Sequence, residues 1–155
     1  METFKIVVIG DAGTGKSSFI DRMNNKNFSP RYSPTFGVVT QHVERENIAY
    51  DFLDTGGQEK YNVVENDYYA SADVAIIMFD ASSSLTHKNI PKWIEIFRSL
   101  SNAPIFVVMN KSELKYKNTS VIRNLNRTIH CISSRKNTGI NSLMLNIERK
   151  LLNAE

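Results

Sequence analysis

One octapeptide constrains this chain more than any other feature. Gly10-Asp11-Ala12-Gly13-Thr14-Gly15-Lys16-Ser17 fits G-x-x-x-x-G-K-[ST]. Glycines let the backbone turn so that successive N–H groups point inward at phosphate oxygens. A following helix adds the positive end of its dipole. Lys16 supplies a compact cation for β- and γ-phosphates, and Ser17 a hydroxyl for Mg²⁺. The context is the required one. Phe4–Ile9, rich in Val and Ile, reads as a buried strand before the loop, and a helix is expected from about Lys16 to Asn25.

The rest of the chain alternates in the same manner. Asn27 to Phe36 reads as loop, with Pro30 and Pro34 as breakers. Gly37–Arg45 and Asn47–Asp54 read as two strands joined in a tight hairpin at Glu46–Asn47. Val74–Asp80 and Ile105–Asn110 are two more buried strands, and Thr128–Ile132 a shorter one. Trp93, Ile94, Phe97 and Leu100 recur at helical spacing, as do Ile140, Leu143, Ile147 and Leu151. Strands alternating with helices predict an α/β domain with a mostly parallel sheet. Ligands of such sheets bind at the carboxyl ends of the strands, and each motif of this chain falls at such an end.

Asp54-Thr55-Gly56-Gly57-Gln58-Glu59 closes one strand. An aspartate there, beside a phosphate loop, is placed to hold the water shell of Mg²⁺. Gly57 offers a backbone N–H to a γ-phosphate, and Gln58 can orient an attacking water. Asn110-Lys111-Ser112-Glu113 follows the strand at Ile105–Asn110, and Ser133-Ser134-Arg135 follows the strand ending at Ile132. Both lie where a base would sit if the phosphates occupy the loop.

Size and composition agree with one soluble domain. At 155 residues the chain can bury about 68–70% of its unfolded surface. With 41% hydrophobic and 23% charged residues it is ordinary for a globular protein, and disordered or coiled-coil readings fall away. The longest apolar run, Val74 to Phe79, is far short of the roughly 20 residues of a membrane helix. The single cysteine, Cys131, leaves no internal disulfide, and METFKIVVIG lacks the form of a signal peptide. A cytosolic or nuclear protein is expected. Net charge is +3 but uneven: residues 1–80 hold 7 basic and 12 acidic side chains, residues 81–155 hold 12 and 4. The basic residues are scattered, as on a solvated face, so no nucleic-acid partner is expected.

With four motifs in order, the chain resembles the Ras superfamily of small GTPases over essentially residues 1–155, as one domain. Within it, the Ran-like branch matches best, in GDAGTGKSSF, DTGGQEKY, DYY with AIIMFD, and THKNIPKW. The resemblance implies a six-stranded, mostly parallel sheet with one antiparallel hairpin strand and about five helices. It implies GTP and GDP as ligands, Mg²⁺ as cofactor, and slow GTP hydrolysis. It also implies effectors that read the nucleotide state, an exchange factor and a GTPase-activating protein, acting on a monomer. Carried over by position, Asp11, Ala12, Gly13, Thr14, Gly15, Lys16, Ser17 and Ser18 form the phosphate site. Phe28 packs on the guanine, Tyr32 folds over the phosphates, and Thr35 joins Ser17 and Asp54 at Mg²⁺ in the GTP state. Gly57 meets the γ-phosphate. Gln58 and Lys16 carry the catalytic roles. Asn110, Lys111, Glu113, Ser133, Ser134 and Arg135 hold the base.

Four departures stand out. Ala12 replaces a family glycine, and its methyl points toward the space of Gln58 and of a partner's arginine finger. Glu113 replaces the family's aspartate, which accepts from the N1–H and N2–H₂ of guanine; the extra methylene must be absorbed by loop or rotamer. Ser134-Arg135 replaces Ala-Lys, a mild change, since the Ser134 N–H still meets the guanine O6 and the Arg135 stem still covers the base. Only 19 positions separate Thr35 from Asp54, a short hairpin for the family. The C-terminal end offers no cysteine for prenylation, so no membrane anchor is expected.

Two other readings share these residues. A pseudo-GTPase would hold nucleotide yet hardly hydrolyse it, with Ala12 and Glu113 in its favour and Lys16, Thr35 and Gln58 against it. A P-loop kinase shares only Gly10–Ser17, and the motifs at Asp54, Asn110 and Ser133 argue against it. His42, His87 and His130 are isolated, without metal-ligand spacing, and read as surface or core residues. Cys131 reads as a small buried hydrophobe. Trp93 and Phe97 share a helical face and read as core, and Tyr68-Tyr69 as packing of the second switch helix.

Overall fold

The computed structural model describes residues 2–23, 39–46, 48–54 and 66–153, except the side chains of residues 39, 40, 54, 66 and 67. Phe28, Tyr32, Thr35, Gly57 and Gln58 lie outside the described residues, as does the continuation of the first helix to Asn25.

Six strands form one sheet: β1 (Glu2–Gly10), β2 (Val39–Arg45), β3 (Ile48–Asp54), β4 (Val74–Asp80), β5 (Ile105–Asn110) and β6 (Ile129–Cys131). Their order is β2-β3-β1-β4-β5-β6. All neighbours are parallel except β2 and β3, which form the expected antiparallel hairpin. β1 carries the alternation that builds two cores. Ile6 and Val8 face one side, Val7 and Ile9 the other, and all four are buried. This continuous apolar strand, covered on both faces, is what a central parallel strand requires.

The helical segments are α1 (Lys16–Met23), α2 (Asn66–Ala70), α3 (Ser84–Lys88), α4 (Ile90–Arg98), α5 (Ser120–Arg123) and α6 (Ile140–Leu152). α3 and α4 are successive pieces broken at Asn89, where Pro91 stands in the first turn of α4 without a donor N–H. Counted as one interrupted helix, they bring the described total to the expected five. On one face of the sheet, Phe19 and Ile20 of α1 and Leu143, Met144 and Ile147 of α6 pack on Tyr50, Phe52 and Met78. On the other, Ile90, Trp93 and Phe97 of α4 pack on Ile77, Phe79 and Val107. Trp93 and Phe97, and Leu143 and Ile147, belong to the stripes read from the sequence; Ile90 and Met144 join them in the core, while Ile94, Leu100 and Leu151 are only partly buried. Each fully buried large apolar side chain here stabilises by about 1.5–3 kcal/mol.

β1 pairs with β3 on one side and β4 on the other, so the strand order reverses at its carboxyl end. That crevice is where open α/β sheets take their ligands. Register brings the chemistry to one rim: Asp54 pairs beside Val8, Met78 beside Gly10, and Asp80 beside Asn110.

Two expectations about side chains are corrected. Cys131 is exposed rather than buried: it ends β6, a three-residue strand at the edge of the sheet with no neighbour beyond it among the described residues. Tyr68 is 38% exposed, and only Tyr69 packs inward, its ring centroid 6.1 Å from that of Phe97.

Candidate nucleotide site

The loop after β1 turns on glycines that nothing else can replace. A Cβ on Gly10, at φ +154°, would collide with the carbonyl of Met78; one on Gly15, at φ +96°, would collide with the Asn110 amide. Lys16 opens α1 and is buried, its Nζ donating to the carbonyls of Gly10 (2.5 Å) and Asp11 (3.1 Å). Both of these acceptors are neutral, and they hold the ammonium inside the cradle. Thr14 Oγ1 donates to the Asp11 carbonyl at 2.9 Å and closes the loop on itself.

Asn110 joins the two halves of the site. Its Nδ2 donates to the Thr14 carbonyl at 2.9 Å. Its Oδ1 accepts from the backbone N–H of Lys111 (2.8 Å) and of Ser134 (3.1 Å). The residue is 1% exposed, so these bonds are sheltered from water. Lys111 adopts φ +59°, and its Nζ reaches back to the Gly13 carbonyl (2.7 Å) and to Oδ2 of Asp80 (3.2 Å). Burial pushes the Asp80 carboxyl up. Hydrogen bonds from the Ser82 hydroxyl and N–H, with the Lys111 ammonium, outweigh it and hold the group below the usual range.

At the far end, Glu113 Oε1 accepts from Ser133 Oγ at 2.7 Å, and Ser133 Oγ accepts from the Lys136 N–H at 3.0 Å. The Ser133 bond, a backbone bond and the charges of Arg135 and Lys136 hold the Glu113 carboxyl below its ordinary range. Arg22 of α1 grips the same loop from below: Nε donates to the Ser134 carbonyl (2.6 Å) and Nη2 to that of Arg135 (2.7 Å). Arg22, Asn110, Lys111, Glu113, Ser134 and Arg135 line a cavity of about 510 Å³, together with Gly15, Ser18, Asp21 and Leu114. The volume is in the ordinary range for a small-ligand site.

The structure therefore brings together Gly10–Ser18, Asn110, Lys111, Glu113 and Ser133–Arg135, and it ends β3 at Asp54 beside them. The donor set suits a nucleotide: a buried cation and glycine turns at one end, a carboxylate and an open loop at the other. Ala12 is exposed at the loop's tip. Sequence reasoning passed over three residues. Arg22 lies 112 positions from its acceptor, and no local pattern announces it. Trp93 and Asn89 both donate to the Asp11 carboxylate, at 3.0 and 2.7 Å; the THKNIPKW stretch was the available signal, but within it Trp93 reads as core and Asn89 is given no role. His87 is core, one of the two placements left open, with Nε2 at the Asp80 carbonyl and Nδ1 at Thr119 Oγ1, 2.9 Å each.

Residues 5–152 match the model of the Ras family. The chain belongs to that family. Its members are GTP-binding switches with GTPase activity, which bind guanine nucleotide and Mg²⁺ and interact with exchange factors, GTPase-activating proteins and effectors. Among the described residues no helix is long and apolar enough to cross a membrane, and no group of three or more His, Cys, Asp or Glu is arranged to hold a metal ion on its own.

Proposed function

We propose that this protein is a Ran-like guanine-nucleotide switch. It binds GDP and GTP with Mg²⁺, hydrolyses GTP slowly, and changes its protein partners with the presence of the γ-phosphate. The observation that carries the reading is the Asn110 bridge. One side chain fixes the phosphate loop through Thr14 and the base loop through Ser134, so both ends of a nucleotide are held at one spacing. On this reading Lys16 holds the β- and γ-phosphates, its ammonium oriented by the carbonyls of Gly10 and Asp11. Ser17, Thr35 and Asp54 hold Mg²⁺. When bound, the ion neutralises charge developing on the β- and γ-oxygens. Gln58 orients the attacking water, and Gly57 marks the γ-phosphate. Phe28 and Tyr32 cover the base and the phosphates. Glu113 reads guanine, and the Ser134 N–H turns from Asn110 to the guanine O6 while the Ser134 hydroxyl, 3.3 Å from Asn110 Oδ1, keeps the bridge; Arg135 lies over the base's face.

The THKNIPKW stretch supports the Ran-like branch, and with it a monomer in cytoplasm or nucleus that serves or mimics nucleocytoplasmic transport. A second reading, a nucleotide-holding module with little hydrolysis, is favoured by Ala12 at the loop's exposed tip and by Glu113. Mass spectrometry of the copurifying nucleotide tests the first claim, and GDP or GTP is expected. Single-turnover hydrolysis separates the readings: a measurable rate supports the switch, and none supports the module.

A further inference from the structure

Asp11 is the second residue of the phosphate loop, yet both its carboxylate oxygens are taken by the start of a helix on the sheet's other flank. Asn89 Nδ2 donates to Oδ2 at 2.7 Å, and Trp93 Nε1 to Oδ1 at 3.0 Å. The donors are four residues apart and so share one face. Asn89 occupies the N-cap of α4, where an asparagine side chain ordinarily accepts an N–H of the first turn. Here its side chain makes no cap bond, and its amide is directed at Asp11 instead. Trp93 is 5% exposed, so its indole N–H is matched to an acceptor inside the fold. The main chain of Asp11 turns the other way, and its carbonyl accepts from Lys16 Nζ and Thr14 Oγ1. One residue thus joins α4, through its side chain, to the lysine of the phosphate site, through its backbone.

We propose that the Asp11 carboxylate, gripped by Asn89 and Trp93, is a positioning group for the phosphate site. The grip sets the direction of the carbonyl that holds Lys16. It also keeps a negative charge on α4 that, once released, lies beside the phosphates with the wrong sign. The proposal rests on the reading of this loop as a phosphate site. It extends that reading to α4, whose Phe97 touches Tyr69 of α2 one turn beyond Trp93.

The sign of the effect separates this role from simple packing. Deleting the donors leaves a free acid, whereas deleting the acid leaves none. The test measures release of N-methylanthraniloyl-GDP from the full chain in Mg²⁺. Trp93→Phe and Asn89→Ala together are expected to hasten release by about tenfold or more, a loss of about 1.4 kcal/mol. Asp11→Ala alone is expected to hasten it less. In the Asp11→Ala background the two donor substitutions should add under about twofold. Raising ionic strength should shrink the donor-variant defect and leave Asp11→Ala unmoved. Release at the parent rate in the donor variants, or full additivity with Asp11→Ala, overturns the proposal. Failure of the parent to bind GDP at all overturns the functional reading instead. Trp93 is the only tryptophan in the chain, so the grip also has a signal free of nucleotide. Its indole N–H resonance should move on Asp11→Ala, and an unmoved resonance refutes the contact itself.

Discussion

The hydroxyl of Ser133 donates to Oε1 of Glu113 at 2.7 Å. This bond restrains the longer acid at the end of the cavity where the guanine edge is expected. One carboxylate oxygen is engaged by the protein. The carboxyl is held below its ordinary range, so it stays ionised as an acceptor through neutral and mildly acid pH.

Glu113→Asp shortens the reach by one methylene. GDP binding is expected to tighten by roughly 0.5–2 kcal/mol, a fraction of one charge-assisted hydrogen bond. Xanthine turns a carbonyl toward the carboxylate, and adenine lacks the N1–H donor, so XDP and ADP should bind poorly to both proteins. Titration of the three nucleotides into nucleotide-free parent and variant measures this. Equal affinity of the parent for GDP and ADP would refute the guanine assignment.

Lys16→Ala removes the buried cation from the loop and should abolish most nucleotide affinity. Excess GDP is expected to raise the melting temperature of the parent and to leave the variant nearly unmoved. Equal stabilisation of both proteins is the contrary result.

Gln58→Leu should slow single-turnover GTP hydrolysis while GDP affinity stays close to the parent's, since the side chain acts on water in the transition state. A large loss of GDP affinity contradicts that role.

Asp80→Asn should cost stability in a pH-dependent way. The native Asp80 carboxyl is held low, so its contribution is present above the ordinary carboxylate range and lost as pH falls through the depressed native value. The gap in melting temperature between parent and variant should be widest near neutrality and close in acid. A gap independent of pH would remove Lys111 and Ser82 as its cause.

Phe97→Ala takes a fully buried ring from between α4 and the sheet and should destabilise the fold by about 3–5 kcal/mol. Chemical denaturation reads it directly. A loss under about 1 kcal/mol would mean that the site collapses around the void.

The alternation of apolar strands with striped helices, the glycine loop and the order of the motifs were legible in the residues alone. Each depends on local chemistry: a strand's period, a helix's face, a backbone that only glycine allows. Lys16 was legible as a site residue for that reason, and Asn110 and Glu113 through the strand end they follow and the resemblance to the Ras superfamily. The sequence did not reveal which partner each side chain takes. Arg22 meets the carbonyl of Ser134 and Trp93 the carboxylate of Asp11 only because the sheet order sets β1 between β3 and β4. Cys131, apolar by its neighbours, is exposed because β6 is the sheet's edge. Hydrogen bonds between residues about 80 or 110 positions apart leave no period in a sequence. They are decided by which strands lie side by side, and a buried polar group then takes the partner that this arrangement brings within reach.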